Sequence, residues 1–285
     1  RIMAGIGDNT SKVTKYDNPN RTLTDPYEGQ QLGEIWGYVV DGYFKTDEEA
    51  RNYKVDQSFV NQMINASALD NGLHAGDLKF VDLDGNNKIE QTTSANDRKD
   101  MKVIGNSLPR YNYNFGISAD WYGIDFSVLF QGIGKQNWYP GAETSMFWGP
   151  YSRPYASFIP SDFMSQVWSE ENTDAYFPRP RGYVALGSNR ELAVVNTKYL
   201  QNLAYCRLKN LSIGYTLPDK WLSKIGFEKI RVYFSGENLL TFTKLHSDYI
   251  DPEQASASNS WKTSKSDANI YPWAKTYSFG VDITF

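Results

Sequence analysis

The stretch from Asp82 to Glu90 has the composition of a cation-binding loop. It reads Asp82-Leu-Asp84-Gly-Asn86-Asn-Lys88-Ile-Glu90, so polar side chains recur at every second position. Side-chain oxygens on a glycine-containing turn suit a hard cation such as calcium. The loop departs from an EF-hand, because Gly85 is its fourth residue instead of its sixth and Thr93 replaces the bidentate glutamate.

The residues therefore predict a calcium-like site in this loop, and a solvated Asx-rich turn is the alternative interpretation. We expect the protein to require no cofactor. The only bound ion that these residues suggest is a structural calcium. The predicted metal residues are Asp82, Asp84, Asn86, Lys88 and Glu90, with Asp97 and Asp100 nearby.

Aromatic residues in the predicted loops form a second candidate site. Flat aromatic faces combined with polar side chains suit sugars or peptides. In the alternative interpretation, the same rings pack the loops against each other or form the aromatic girdle of a membrane protein. The residues predicted to contact a ligand are Trp138, Tyr139, Trp148, Tyr151, Trp261 and Trp273.

The sequence offers little support for catalysis. Its two histidines, His74 and His246, stand apart, and there is neither a Gly-x-Ser-x-Gly elbow nor a His-Glu-x-x-His motif. Carboxylates such as Asp162 and Glu170 could form a glycosidase pair. A chain with 33 acidic residues offers many such pairs by chance, so we predict that the protein is not an enzyme.

The composition indicates an all-β protein. Aromatic residues make up 15% of the 285 residues, and aromatic side chains favour half-buried, pleated surfaces. The net charge of −4 and the absence of a basic stripe argue against a nucleic-acid partner. The single cysteine, Cys206, forms no internal disulfide, and we interpret it as a small buried residue.

Alternating apolar and polar residues predict the strands. Asn112–Trp121 alternates cleanly, and after Tyr122-Gly123 the alternation resumes at Ile124, which predicts a hairpin with a tight turn. A tilted transmembrane β-strand needs about 9–11 residues, and each arm of the hairpin is about that long. Further runs lie at Tyr205–Leu217, Ile230–Leu240 and Thr276–Phe285, with weaker ones at Trp36–Phe44 and Ser11–Tyr16.

The connections between the predicted strands differ greatly in length. The turn at 122–123 has two residues, whereas 135–201 is a single long excursion that carries six of the twelve prolines. Short turns alternating with long loops are typical of outer-membrane barrels. Short helices are predicted after Thr46, after Ser161 and from Pro218 to Lys224. No apolar run reaches the 18 residues of a transmembrane helix, but the alternation of a membrane barrel would hide its lipid face.

Several landmarks resemble SusC/RagA-type TonB-dependent outer-membrane transporters. The final strand ends at Phe285, and a terminal aromatic residue is typical of outer-membrane barrels. The segments that carry the resemblance are Gly76–Asp82, Ile104–Asn106 with Pro109, Tyr113–Gly116, Leu129–Gly132, Arg231–Thr243, Asp251–Glu253, Tyr271-Pro272 and Thr276–Phe285. The match runs from about Gly33 to Phe285.

The resemblance implies an all-β fold, namely the C-terminal strands of an antiparallel transmembrane barrel of about 22 strands with long extracellular loops. Residues 1–285 would form this portion, with loops at about 45–108, 135–202 and 243–275. The plug, the TonB-contacting segment and the signal peptide are expected to precede Arg1.

The resemblance also implies a function and a set of partners. The protein would import oligosaccharides or peptides across the outer membrane of a Bacteroidetes-like bacterium, with outer-membrane lipid around it. A SusD-like surface lipoprotein would present the ligand, and the TonB complex would act through the N-terminal part. The alternative is a secreted or surface-anchored β-sandwich that binds or hydrolyses carbohydrate, in which a second sheet buries one face of each strand.

Overall fold

The computed structural model describes residues 1–61, 72–152, 159–180, 185–187, 190–222, 226–255, 265–266 and 271–285. Its strands are β1 (Ile2–Gly7), β2 (Glu34–Tyr38), β3 (Val40–Tyr43), β4 (Leu78–Phe80), β5 (Met101–Asn106), β6 (Arg110–Trp121), β7 (Ile124–Lys135), β8 (Asn137–Pro140), β9 (Gln201–Asn202), β10 (Tyr205–Thr216), β11 (Lys229–Thr243), β12 (Lys265–Ser266) and β13 (Thr276–Thr284). The helices are α1 (Asp47–Arg51), α2 (Ser145–Trp148), α3 (Asp219–Leu222) and α4 (Pro252–Ala255), with 3₁₀ turns at Gly149–Tyr151 and Phe163–Gln166. Among these residues, no helix combines the length and the apolar character needed to cross a bilayer.

Six of the strands form one antiparallel sheet in the order β1-β6-β7-β10-β11-β13. From β6 onwards the spatial order follows the chain. The turn between β6 and β7 consists of Tyr122 and Gly123, whose φ angles are +48° and +85°. Two successive residues with positive φ match the right-handed twist of the flanking strands, so this turn closes the hairpin tightly.

The two faces of this sheet differ in polarity, as the alternation in the sequence requires. One row of paired residues across four strands reads Phe115, Phe130, Leu208 and Leu240. The adjacent row, on the opposite face, reads Asn114, Gln131, Arg207 and Thr241. The apolar face is open: Phe115, Val232 and Phe279 are 39%, 42% and 82% exposed. A β-sandwich would bury such a face against a second sheet, so the described structure does not match that alternative.

The main hydrophobic core lies in the long connections at one end of the sheet. Its largest buried side chains belong to the excursion between β7 and β10, and residues of β2, β3 and β4 pack against them. Phe177 is central to this core: its ring stacks on those of Tyr151 and Tyr199, with centroids 5.9 and 6.2 Å apart. The long loops are therefore a packed layer with their own core.

A β-bulge at Lys209 interrupts the pairing of β10. Leu208 and Asn210 pair with adjacent residues of β7, so Lys209 has no partner on that strand. A bulge re-aims the side chains beside it. Here the Lys209 ammonium reaches Glu253, and Arg207 on the polar face reaches the same carboxylate.

Most of the predicted elements are confirmed. The runs predicted at 112–121, 124–131, 205–217, 230–240 and 276–285 are strands β6, β7, β10, β11 and β13. The weaker run Trp36–Phe44 is divided into β2 and β3. The prediction at Ser11–Tyr16 is wrong, because that segment contains only an isolated bridge at Lys12, whereas Ile2–Gly7 forms the edge strand β1.

The predicted capping box of α1 is present. The Thr46 hydroxyl accepts a hydrogen bond from the backbone N–H of Glu49 at 3.1 Å, and the Glu49 carboxylate accepts one from the backbone N–H of Lys45 at 2.9 Å. The segment after Ser161 forms only the 3₁₀ turn Phe163–Gln166, without a side-chain cap. The helix predicted at Pro218–Lys224 is α3.

Candidate functional site

Four of the predicted ligand-contacting aromatics are buried in the loop core. Trp138, Tyr139 and Trp148 are fully buried, and Tyr151 is 2% exposed. Their polar atoms are also satisfied internally: the Trp148 indole N–H donates to Gly141 at 2.9 Å, and the Tyr139 hydroxyl donates to Leu192 at 2.8 Å. Burial accordingly raises the pKa of Tyr139 far above its usual range. The structure therefore corrects the expected ligand contact for these four residues to a packing role, since none offers an open face.

The other two predicted aromatics have different outcomes. Trp261 lies outside the described residues. Trp273, just before β13, is 50% exposed and borders a groove at the loop end of the polar sheet face. This groove encloses about 250 Å³. It is lined by Arg207, Asn238, Thr241, Thr243, Ser247, Asp248, Ile250, Asp251, Pro252, Pro272, Trp273 and Lys275.

A buried ion-pair cluster forms one wall of the groove. The Arg207 guanidinium bonds the Asp251 carboxylate at 2.6 Å and the Glu253 carboxylate at 2.7 Å, and its Nε donates to the Thr241 hydroxyl at 3.0 Å. The side chains of Arg207 and Asp251 are only 2% and 5% exposed. Lys209 also pairs with Glu253, at 2.8 Å. These bonds attach α4 and its loop to the polar face of β10.

The same cluster positions Trp273. The backbone N–H of Trp273 lies 3.4 Å from the Asp251 carboxylate, and the Lys209 ammonium lies 5.5 Å from the centroid of the indole ring. A cation at this distance from an aromatic face is attracted by the ring quadrupole. The Asp251 contact therefore holds the backbone of Trp273 and Lys209 contacts its ring, while half of the residue stays open to solvent.

The acidic loop brings together a set of carboxylates that differs from the predicted one. Ligand oxygens of Asp82, Asp84 and Asp100 lie within 4.8 Å of one another. Asp100 is fully buried and accepts backbone N–H bonds from Glu90 and Leu83 at 2.7 and 2.9 Å. Burial, with a smaller contribution from Asp84 and Asp82, raises the pKa of Asp100 despite those bonds.

The remaining predicted metal residues point elsewhere. Glu90 pairs with the ammonium groups of Lys99 and Lys88 at 3.0 and 3.6 Å, so its carboxylate is already neutralised and the Lys88 ammonium is no ligand. The Asn86 amide donates to Asp84 and Glu90 at 3.2 Å each. No ion pair to Asp82, Asp84 or Asp100 occurs in the described part of the chain. The three converging carboxylates thus fit a divalent cation better than the predicted set does.

His246 joins two of the long loops. Its ring stacks on that of Tyr176 with centroids 3.5 Å apart, and its Nε2 lies 2.7 Å from the Gln166 amide oxygen. Burial lowers the pKa of His246, and Lys198 acts in the same direction, whereas Asp162 and Asp248 oppose it. In the described residues neither His74 nor His246 is hydrogen-bonded to a serine, threonine or cysteine side chain, so no activated nucleophile is assembled around them.

A sheet with one apolar and one polar face, joined by a tight turn at one end and long folded loops at the other, is a pattern typical of outer-membrane β-barrels. The comparisons agree, since the chain is similar over most of its length to TonB-dependent receptors. TonB-dependent receptor P3 of Formosa agariphila is 28% identical over 264 residues, which cover 90% of this chain and 22% of the relative. TonB-dependent receptor P39 of the same organism is 26% identical over 283 residues, covering 90% and 25%. No family model matches the sequence.

Solved structures share the fold. The RagAB peptide importer in its open-open state matches with a TM-score of 0.59 and 19% identity, over 100% of this chain and 26% of that one. The closed-closed state matches with a TM-score of 0.55 and 21% identity, over 100% and 27%. The expected resemblance to SusC/RagA-type transporters is thereby confirmed. The chain spans about a quarter of the length of the relatives that it matches.

Proposed function

We propose that this chain forms wall strands and extracellular loops of a TonB-dependent importer in the outer membrane of a Gram-negative bacterium. The observation that carries the proposal is the six-stranded sheet with one open apolar face and one polar face, seen in a chain whose relatives are TonB-dependent receptors. The apolar face would meet lipid and the polar face would line the lumen. Strands β1 and β13, at the two edges, would pair with neighbouring strands of a closed barrel, because open edges do not persist in lipid.

The loop layer would form the extracellular side. Its packed core keeps the connections ordered above the lumen, and the groove at Trp273 lies where this layer meets the polar sheet face. In the proposed import cycle a SusD-like lipoprotein delivers an oligosaccharide or peptide to these loops. The TonB complex then opens the path through the N-terminal part of the protein. The matched structures are of an importer described as acting on peptides, which supports a polymeric nutrient as the cargo class.

No catalytic step is proposed for this chain. Its curated relatives are named as receptors, and the described residues place no nucleophile beside either histidine. The sequence-based alternative of a carbohydrate-hydrolysing sandwich needs both a second sheet over the apolar face and a carboxyl pair in a cleft. The exposure of Phe279 and Val281, at 82% and 57%, disfavours the first requirement.

The proposal is tested on the native, full-length protein by fractionation and a heat-modifiability gel. We expect recovery in the outer membrane as a detergent-requiring band whose mobility shifts on boiling, together with a lipoprotein that can be cross-linked to loop cysteines introduced at Thr243 or Lys244. Recovery as a soluble monomer would reject the proposal. Recovery in the outer membrane without a lipoprotein partner would reject only the SusD-like partner.

A further inference from the structure

One surface of the loop layer combines four carboxylates with two exposed apolar side chains. Met164 is 72% exposed and Tyr249 is 46% exposed. Methionine and aromatic side chains are enriched in protein–protein interfaces, where polar residues surround them at the rim. We call this surface the acidic patch, and its members are Asp162, Met164, Glu170, Glu171, Asp248 and Tyr249.

Hydrogen bonds join the segments that carry the acidic patch. The turn with the two glutamates is fixed to the preceding 3₁₀ turn, because the Asn172 amide donates to the Ser165 carbonyl at 2.9 Å. Gln166, in the same 3₁₀ turn, reaches the connection between β11 and β13, where its amide oxygen lies 2.7 Å from His246 Nε2. The patch is therefore one preformed surface built from two loops, so a partner would order few further residues on binding.

A cavity of about 280 Å³ opens at the centre of the acidic patch. The buried rings of Phe147, Phe163 and Phe177 line it, together with the exposed carboxylate side chains of Asp162 and Asp248. Pockets for small molecules usually enclose about 300–1,000 Å³, so this cavity lies just below their range. Its size is better suited to one side chain inserted from another protein.

The charge of the acidic patch is not compensated within the described part of the chain. None of its four carboxylates takes part in an ion pair there, and no lysine or arginine is among the described residues that line the cavity. Among the same residues, Asp162 accepts one side-chain hydrogen bond, from the Gln166 amide at 2.8 Å, and Asp248 accepts none. Lys198 directs its ammonium inward, 4.7 Å from the centroid of the Tyr43 ring. Acceptors therefore remain for a cation from outside.

We propose that the acidic patch docks a protein partner that inserts a basic side chain into the cavity and packs apolar residues on Met164 and Tyr249. An arginine or lysine would pair with the two carboxylates while its aliphatic stem covers the aromatic lining. Anchors of this kind fill a pocket at the centre of an interface and are enclosed by weaker contacts. The inference rests on the proposed import function, because the partner is the surface lipoprotein of that proposal.

The location of the lipoprotein is tested by photo-cross-linking in the native, full-length protein. The photoreactive residue p-benzoylphenylalanine is introduced at Met164 or, as a matched control, at Leu83. Leu83 is also an exposed apolar residue of the long connections, but it lies outside the acidic patch. We expect a cross-link to the lipoprotein from position 164 that clearly exceeds the one from position 83. Equal yields from the two positions would overturn the inference.

The role of the charge is tested by surface plasmon resonance with the full-length protein in detergent and the lipoprotein purified from the same outer membrane. Complementary charges accelerate association, and salt screens them. The double change Glu170→Lys and Glu171→Lys should lower the association rate about ten-fold at low salt, with a smaller difference at high salt. The matched control, Glu48→Lys with Asp97→Lys, alters the net charge equally at exposed positions of another loop and should have little effect.

The role of the cavity is tested by Asp248→Asn, which keeps the shape of the side chain and removes its charge. Loss of one partner of a desolvated charge pair acts mainly on dissociation, so the dissociation rate should rise about ten-fold. A heat-modifiability gel on every variant establishes that the barrel has formed. Met164→Asp should also weaken binding, because it places a further anion in the apolar part of the patch.

The outcomes separate this inference from the import proposal. Normal association in the Glu170→Lys and Glu171→Lys variant, or an equal loss in its control, would overturn the docking surface. Normal dissociation in Asp248→Asn would overturn the inserted basic side chain. A protein recovered from the outer membrane without any lipoprotein would reject the inference and leave import intact, whereas recovery as a soluble protein would reject import itself.

Discussion

Arg231 on β11 reaches across the intervening strand β10 to form a two-bond ion pair with Asp125 on β7, at 2.6 and 2.8 Å. The residue of β10 that lies between them is Gly214. A Cβ atom at Gly214 would lie 2.6 Å from the Arg231 Nε, which is closer than real contacts allow. Glycine is therefore required there for the ion pair to bridge three strands of the polar face.

We expect Gly214→Ala to displace this ion pair and to lower the temperature at which the folded band is lost on a heat-modifiability gel. The added methyl group would meet the charged ends of the Arg231 and Asp125 side chains and not the backbone, so it displaces the ion pair while the strands keep their pairing. Gly7→Ala is the matched control, because Gly7 lies in β1 of the same sheet and a Cβ there meets nothing within 4 Å. Equal effects of the two changes would contradict this account of Gly214.

The buried cluster at Arg207 predicts a second loss of stability. Arg207→Met removes the cation between Asp251 and Glu253 and leaves the nearly buried Asp251 carboxylate without its main partner. Breaking a buried pair in this way costs about 3–5 kcal/mol. We expect protease cleavage within 243–275 to accelerate at a temperature at which the wild-type loop resists. Arg110→Gln breaks a more exposed pair, with Asp8, and should change this cleavage little.

The assignment of the two sheet faces predicts an asymmetry between adjacent residues of β13. Phe279 lies on the open apolar face, whereas Ser278 lies on the polar face opposite Ser235. Phe279→Arg would place a charge in lipid at a cost of about 2–4 kcal/mol near the bilayer midplane, and Ser278→Arg would place it in the lumen. Outer-membrane levels of the full-length variants should fall for Phe279→Arg only. Lower outer-membrane levels for Ser278→Arg only would mean that the face carrying Ser278, and not the face carrying Phe279, meets the lipid.

The stability of the loop layer should depend on pH through His246. Burial lowers the pKa of His246, so its folded-state value lies below the unfolded value of about 6.5. The stabilisation is therefore present above pH 6.5 and is lost as the pH falls towards the folded pKa, because the unfolded loop binds the proton more readily. Limited proteolysis at pH 5.5 and 7.5 should show faster loop cleavage at the lower pH. His246→Phe, which keeps the ring against Tyr176, should show a smaller difference.

Structural calcium remains a prediction, now assigned to the converging carboxylates of Asp82, Asp84 and Asp100. A divalent cation that binds only the folded loop raises the free energy of unfolding of that loop by RT ln(1 + [L]/Kd), where [L] is the free cation concentration. We expect calcium to slow proteolysis around residue 84 in the full-length protein and chelator to reverse the effect. Asp84→Asn should abolish the response, and Asp97→Asn, outside the converging set, should keep it. A calcium response that survives Asp84→Asn would argue against this site.

The strand pattern was readable from the sequence because alternation has a fixed physical consequence. In β6 and β7 every second residue is apolar, and the structure places those residues on one face. The division of Trp36–Phe44 into two strands was not readable, because Val39 has no ladder partner and only the fold decides where each half pairs. The edge strand β1 was missed because Ile2–Gly7 is short and its alternation rests on few residues.

The candidate site was predicted only in part. Nothing in the local sequence distinguishes a buried tryptophan from an exposed one. The sequence therefore could not separate Trp148, which lies in the core, from Trp273, which lies at the groove. In the acidic loop, Asp100 follows Glu90 by ten residues, and it joins the loop through its hydrogen bonds to Leu83 and Glu90. A buried carboxylate brought in by the fold leaves no local motif.

The hydrophobic core within the connections reverses the usual distribution of mutational tolerance. Surface loops normally accept insertions and variation more readily than the elements they join. In this chain an insertion beside Trp148 or Phe177 would open the core, whereas strand residues such as Phe115 need only remain apolar. Rim positions such as Trp273 and Lys275 border the groove outside that core, so substitutions there should leave the packed layer intact.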